Sequence, residues 1–171
     1  SSNGIEFVDK TSDATVAEVE SAIADAMTLS MSINAWEGRW PLNTYSRDMD
    51  RASLSESAQN RLAQAETMDQ DEYRGLLAER ERIRELYASL ADGIDLCASL
   101  AAPGAAPKGL GWTGDPSFVV PGSLLGAPTL SLPVLTAEDG MPIGLQLLGF
   151  MNQDSELFAA AATILSLFED Q

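Results

Sequence analysis

Apolar and polar positions alternate most sharply between Gly126 and Gly149, in the stretch GAPTLSLPVLTAEDGMPIGLQLLG. Leu130, Leu132 and Val134 fall on one side of its first half, and Ile143, Leu145 and Leu147 on one side of its second. Two period-2 runs, Pro128–Leu135 and Pro142–Leu148, flank Thr136-Ala-Glu-Asp-Gly-Met141 and predict a β-hairpin turning at Asp139-Gly140. The opposite side carries Thr129, Ser131, Gly144 and Gln146. Gly144 admits close approach of another backbone, and a buried Gln146 needs hydrogen-bond partners for its carboxamide. Asp154 then stands as an N-cap ahead of Leu157, Phe158, Ala161, Leu165 and Phe168, which recur at helical spacing.

Upstream the period changes several times. Gly4–Asp9 alternates briefly and predicts a short strand. Thr15-Val-Ala-Glu18 is a capping box, and Val16, Val19, Ile23 and Met27 predict one face of a helix ending near Asn34. Ala35–Tyr45 then reads as a loop, with Trp36, Trp40 and Tyr45 around a Glu-Gly-Arg turn, as either a contact surface or a self-packed loop. Ser53-Leu-Ser-Glu56 opens a short helix through Leu62 and Ala65. Asp69 and Glu72 open the longest helix, with an apolar face through Tyr73, Leu76, Leu77, Ile83, Leu86, Tyr87 and Leu90. Its other face alternates Glu and Arg and reads as solvated. Asp92-Gly93 ends it. Ile94–Ala101 predicts a buried, central strand, Ala102–Gly114 a long Pro/Gly/Ala loop, and Pro116–Leu125 one or two helical turns.

Composition narrows the chemistry. The chain has 171 residues, 45% of them hydrophobic and 21% charged, enough for one globular domain with a sizeable core. A net charge of −16 repels phosphate backbones and anionic lipid, so neither nucleic acid nor membrane is an expected partner. There is no histidine, which removes a Ser-His-Asp triad, a Cys–His dyad and histidine-ligated zinc; no metal site or cofactor is expected. Cys97 stands alone in an apolar run and reads as a small hydrophobe. Asp69–Arg80 begins like a calcium loop, but its glycine is one position late and its twelfth residue is Arg80. With no signal-peptide pattern and no 18-residue apolar run, the expected location is cytoplasmic. The chain opens Ser-Ser-Asn-Gly without methionine, as a processed or truncated chain would.

Leu125-Gly-Ala-Pro128, Leu130-Ser-Leu-Pro133, Gly140-Met-Pro-Ile-Gly-Leu-Gln146 and Asp154 together resemble the C-terminal part of the amidase signature family, serine hydrolases that cut amide bonds. The resemblance implies an α/β fold in which residues 1–171, as one incomplete amidase-like domain, add strands and covering helices to a larger mixed sheet. It implies hydrolysis of a non-peptide carboxylic amide through an acyl-serine, using a serine nucleophile, a second serine and a lysine base. Those parts are not found: the only lysines are Lys10 and Lys108, and neither precedes a Gly/Ser-rich segment. Ser123, in Gly122-Ser-Leu-Leu-Gly126, does not form a G-x-S-x-G elbow. The chain's expected share is therefore scaffold plus part of a small-molecule amide pocket, with Trp112, Thr113 and Gly114 near substrate; a Trp112 that merely plugs the core is the competing reading. A stand-alone, non-catalytic chain that binds a partner or itself is the rival from another class, with a homo-oligomer or a missing N-terminal portion covering the exposed strands.

Overall fold

The computed structural model describes residues 4–169, so the Ser-Ser-Asn opening lies outside the described residues. The chain divides into two compact units. One runs from Asp25 to Arg82; the other takes the residues before and after it.

The Asp25–Arg82 unit is helical. Helix α2 (Ala26–Asp48) buries Ala26, Leu29, Ile33 and Ala35. Helix α3 (Glu56–Thr67), capped by Ser55, buries Leu62 and Ala65. Most of α4 (Gln70–Ala88) completes it, opened by Asp69, whose Oδ1 accepts from the Asp71 and Glu72 amides while Glu72 accepts from the Asp69 amide. That reciprocal pair is a capping box. Two expectations fail here. Residues 35–45 are helical, which makes α2, not α4, the longest helix, despite Gly38 and a Pro41 that donates no backbone hydrogen bond. Side-chain contacts hold this segment: Trp36 stacks on Tyr73 at 5.3 Å, Arg39 lies 5.2 Å from the Trp36 ring centre, and Tyr73 donates to Glu37 Oε1 at 2.9 Å.

In the other unit, residues 4–9 form no strand; Asp9 instead accepts from Thr11 and Ser12 in a turn. Helix α1 (Ala14–Ile23) is capped by Asp13, not by Thr15, because the Asp13 carboxylate reaches the Thr15 and Val16 amides. The sheet is three-stranded and antiparallel. Strands β1 (Cys97–Leu100), β2 (Thr129–Thr136) and β3 (Pro142–Leu148) lie in the order β1-β3-β2. The predicted hairpin is present, with Leu130 opposite Leu147 and Leu132 opposite Leu145. An irregularity between Leu132 and Leu135 takes up Pro133, which cannot donate to a ladder. Strand β1 is four residues long and sits at an edge, not at the centre, because among the described residues only β3 pairs with it; nor is it buried, since Ala98 and Leu100 are exposed.

Helix α6 (Asp154–Glu169) covers one face of the sheet. Leu132, Leu147, Leu157 and Ala161 form its buried centre, with Leu130, Val134, Leu145 and Ile164 around them. Asp154 is the first helical residue instead of the cap, since Gln153 accepts the first intrahelical bond, from Leu157. Phe158 points outward and is exposed.

Helix α5 (Val120–Leu125) ends at Gly126, which adopts the left-handed φ of 67°. It abuts the sheet's other face, where a Cβ on Gly122 would come within 2.7 Å of Thr129 Cγ2. The end of α4 packs into this unit too: Tyr87 donates to the carbonyls of Leu148 (3.3 Å) and Gly149 (3.0 Å), and its ring tilts against Phe150.

Burial pushes the Tyr87 pKa well above its ordinary value, and neighbouring Cys97 adds to the shift. Burial also pushes the Cys97 thiol up, partly opposed by its hydrogen bond with Tyr87. Both groups hold their proton more tightly in the folded chain, so their stabilisation is complete below the unfolded values. It drains once pH rises above roughly 8.5–10, where only the unfolded chain releases protons. Urea unfolding at a series of pH values should show stability falling on that alkaline side, less steeply in Tyr87→Phe. Identical pH profiles for the two proteins would show that Tyr87 has no part in it.

Candidate functional site

The sheet face opposite α6 is where chemistry-bearing residues gather. Its centre is Gln146 on the middle strand, only 4% exposed. The carboxamide nitrogen donates to Ser99 Oγ on β1 at 3.1 Å and to the Phe118 carbonyl at 2.8 Å. Ser99 directs its own hydroxyl proton toward the Leu100 carbonyl, 3.1 Å away. The need for partners at Gln146 is legible in the sequence; the partners themselves are not.

Beside Gln146, Gly144 lets the chain close up as expected. A Cβ there would land on Ser131 Oγ and come within 3.0 Å of Ala101 Cβ, and the Ala101 amide donates to the Gly144 carbonyl at 2.8 Å. No side chain fits between these strands without moving one of them.

From Ala101 the chain leaves β1 in a long irregular excursion that returns at α5. Trp112, Thr113 and Gly114 all lie on it. The Trp112 side chain is 63% exposed, so it does not plug the core of this unit. Thr113 is exposed, and Gly114 takes a φ of 107°, available at low cost only to glycine. Pro107 packs near Gly114, its Cδ 3.6 Å from where a Cβ would be. Leu110 stands fully in solvent, and Phe118 and Val119 are also exposed. The excursion is thus lined by apolar side chains that the described residues do not cover.

None of the other sequence candidates takes part in the bonds around Gln146. Lys10 pairs with Glu20 at 3.2 Å on an exposed surface, and Lys108 is exposed in the loop. Ser123 is exposed on α5. In the helical unit, a shallow groove of about 460 Å³ runs past Ser32, Gln64, Glu72 and Leu76. Gln64 donates there to Ser32 (3.3 Å) and Thr67 to the Gln64 carbonyl (2.8 Å), while the Glu72 carboxylate accepts from the Asp69 amide (2.8 Å) at the start of α4. Of the aromatic trio, Trp36 is stacked and half-buried, whereas Trp40 (80%) and Tyr45 (51%) face solvent. Among the described residues no group of three or more His, Cys, Asp or Glu could hold a metal ion, and no helix is long and apolar enough to cross a membrane.

No family model matches the chain. It is similar to a glutamyl-tRNA(Gln) amidotransferase subunit of Aliarcobacter butzleri, 34% identical over 91 residues that make up 50% of this chain and 20% of that protein. It is also similar to the fatty acid amide hydrolase of Medicago truncatula, 29% identical over 138 residues, or 74% of this chain and 23% of the relative. The chain therefore spans under a quarter of the length of these relatives. A crystal structure of an amidase superposes with a TM-score of 0.71 at 24% identity, over 84% of this chain and 36% of the amidase; this similarity shows a shared fold. The resemblance to amidase signature enzymes read from residues 125–154 is borne out, and the α/β architecture with it.

Proposed function

We propose that this chain is the C-terminal portion of an amide hydrolase acting on small, non-peptide carboxylic amides. In this reading its two units belong to one amidase-like domain completed by a preceding portion. The chain supplies late strands, their covering helix and one wall of the substrate pocket; the serine nucleophile, the bridging serine and the lysine base come from elsewhere. The observation that supports the reading is the hairpin: the stretch whose residues carry the resemblance folds as two paired strands, with α6 on its apolar face and Gln146 on the other.

Trp112, Thr113 and Gly114 would meet the substrate. An aromatic ring 63% exposed on a loop offers a flat apolar surface to an acyl or amine group. The Gly114 backbone would allow close approach of a ligand. Covering that ring by substrate or by the preceding portion would remove apolar surface from water. A cytoplasmic setting, without nucleic acid or membrane as partner, accords with the net charge of −16.

Acyl transfer requires an activated nucleophile and donors preorganised around the developing oxyanion. Lys10 is engaged by Glu20, and the sequence around Lys108 lacks the Gly/Ser-rich continuation. The chain by itself should therefore neither turn over aliphatic or aromatic amides nor react with a fluorophosphonate probe. Stoichiometric labelling of one serine, Ser123 above all, would overturn the proposal.

A second reading, a non-catalytic module that binds itself, is favoured by the outer edges of β1 and β2, which pair with no strand among the described residues. Open edges recruit strands. Sedimentation of the chain with and without a complementing polypeptide separates the two readings, since only the second leaves the chain paired with copies of itself.

A further inference from the structure

We propose that Gln146 is a positioning residue, whose single carboxamide nitrogen closes the 101–119 excursion at both ends and so fixes where Trp112, Thr113 and Gly114 stand. The carboxamide carries two hydrogens on one atom. One is directed to Ser99 Oγ, and Ser99 in turn donates to Leu100, the last residue of β1. The other is directed to the Phe118 carbonyl, just before α5. One side chain thus joins the point where the chain leaves the sheet to the point where it returns.

The anchor is rigid because Gln146 belongs to the central strand, held by ladders on both sides: it lies opposite Ser99 on β1 and Ser131 on β2. The excursion is not rigid of itself. Among the described residues, no backbone hydrogen bond is found within 102–114. At its far end a small turn is built on Pro116, whose carbonyl accepts from the Val119 and Val120 amides, and on Asp115, which accepts from the Ser117 amide. That turn is tied to the sheet through the Phe118 carbonyl.

Glutamine suits this task for reasons of chemistry. Asparagine has the same group on a stem one methylene shorter. Glutamate matches the length but has no N–H, and when ionised it would turn lone pairs toward the Phe118 carbonyl. Methionine fills a similar volume and donates nothing. With Gln146 buried, each of these changes leaves an acceptor without its partner.

The functional meaning of this closure rests on the pocket reading above, but its test needs no substrate, so the two fail separately. Amide hydrogen exchange is followed by NMR in the full chain for the wild type, Gln146→Met, Gln146→Glu and Ser99→Ala. Gln146→Met should speed exchange at Val119 and Val120 about tenfold and leave the β2–β3 hairpin amides unchanged. Gln146→Glu, closer in shape and polarity, should loosen the same amides at neutral pH and keeps the result independent of how well the methionine variant folds. Ser99→Ala retains the Phe118 bond and should change Val119 and Val120 less than about twofold. Unchanged exchange at Val119 and Val120 in both Gln146 variants would overturn the proposal. So would an equal rise across the hairpin, which would mark general destabilisation, or an effect of Ser99→Ala as large as that of Gln146→Met.

Discussion

Leu147→Ala is expected to lower the unfolding free energy by about 2–5 kcal/mol, the range for emptying a packed leucine site. Leu147 is 0% exposed and lies on the middle strand, between Leu130 on β2 and Ala98 on β1. It faces Leu157 and Ala161 of α6. A strand with neighbours on both sides cannot slide to refill the space, and the helix above is held by its own ladder, so the cavity should persist. A whole domain is stable by only about 5–15 kcal/mol, so the variant is expected to sit near the limit of folding at about 37 °C. Leu145→Ala should cost less, because Leu145 is only half-buried at the margin of the same cluster. Leu110→Ala, fully exposed in the long excursion, should change stability by no more than about 0.5 kcal/mol. Urea titrations of the three variants check the order. Equal losses at Leu147 and Leu110 would mean that the hairpin register is wrong.

Legibility of the fold in the sequence followed the strength of the local period. The hairpin has two alternating runs around a glycine turn, and its turn and its apolar face were readable, whereas its register, with the irregularity between Leu132 and Leu135, was not. Gly140 takes the positive φ of 81° that the turn requires, and Ala137 bonds across it to Met141. Helix α4 is announced by its Asp69–Glu72 capping box; α3 stands where expected, but its cap is Ser55 and not Ser53. The segment from Ala35 to Tyr45 is not announced, because Gly38 and Pro41 argue locally against helix. What keeps it helical is long-range in sequence: Tyr73, far along the chain on α4, stacks on Trp36 and donates to Glu37. Composition within so short a window cannot contain that contact. The strand expected at residues 4–9 failed for the opposite reason, since alternation alone supplies no partner strand. β1 lies within the segment expected to be a strand, but it is neither central nor buried: Ala98 and Leu100 are exposed, because apolar content gives neither the number of neighbouring strands nor what covers them.

The candidate site was legible by halves. The sequence puts Gln146 on the small and polar face of the hairpin and says only that, if buried, its carboxamide needs partners; its burial and its bonds to Ser99 and Phe118 come from the structure. The Phe118 carbonyl could not be foreseen, because any backbone carbonyl in the excursion was an equal candidate for that bond. Trp112, Thr113 and Gly114 were drawn from a family resemblance, and they stand together on the exposed loop that Gln146 anchors.

The largest effect expected of this protein is the contrast between the chain and the longer product proposed to contain it. Amide hydrolysis by a Ser-Ser-Lys site accelerates a very slow reaction, and enzymes of ordinary efficiency do so by on the order of a millionfold or more. All of that should be missing from residues 1–171 and present once the lysine and the Gly/Ser-rich segment are joined to them. Trp112 would then line a closed pocket, where its ring is shielded by the added portion. The measurement that tests this most directly is amide turnover, with fluorophosphonate labelling, by the product of the entire reading frame that holds this chain, alongside the chain alone. Turnover and one labelled serine, upstream of Ser1, are expected in the longer product, and neither in the chain. The C-terminal-portion reading is contradicted if the frame encodes no such segment and its product sediments as a self-associated, inactive chain, or if the label falls on Ser123.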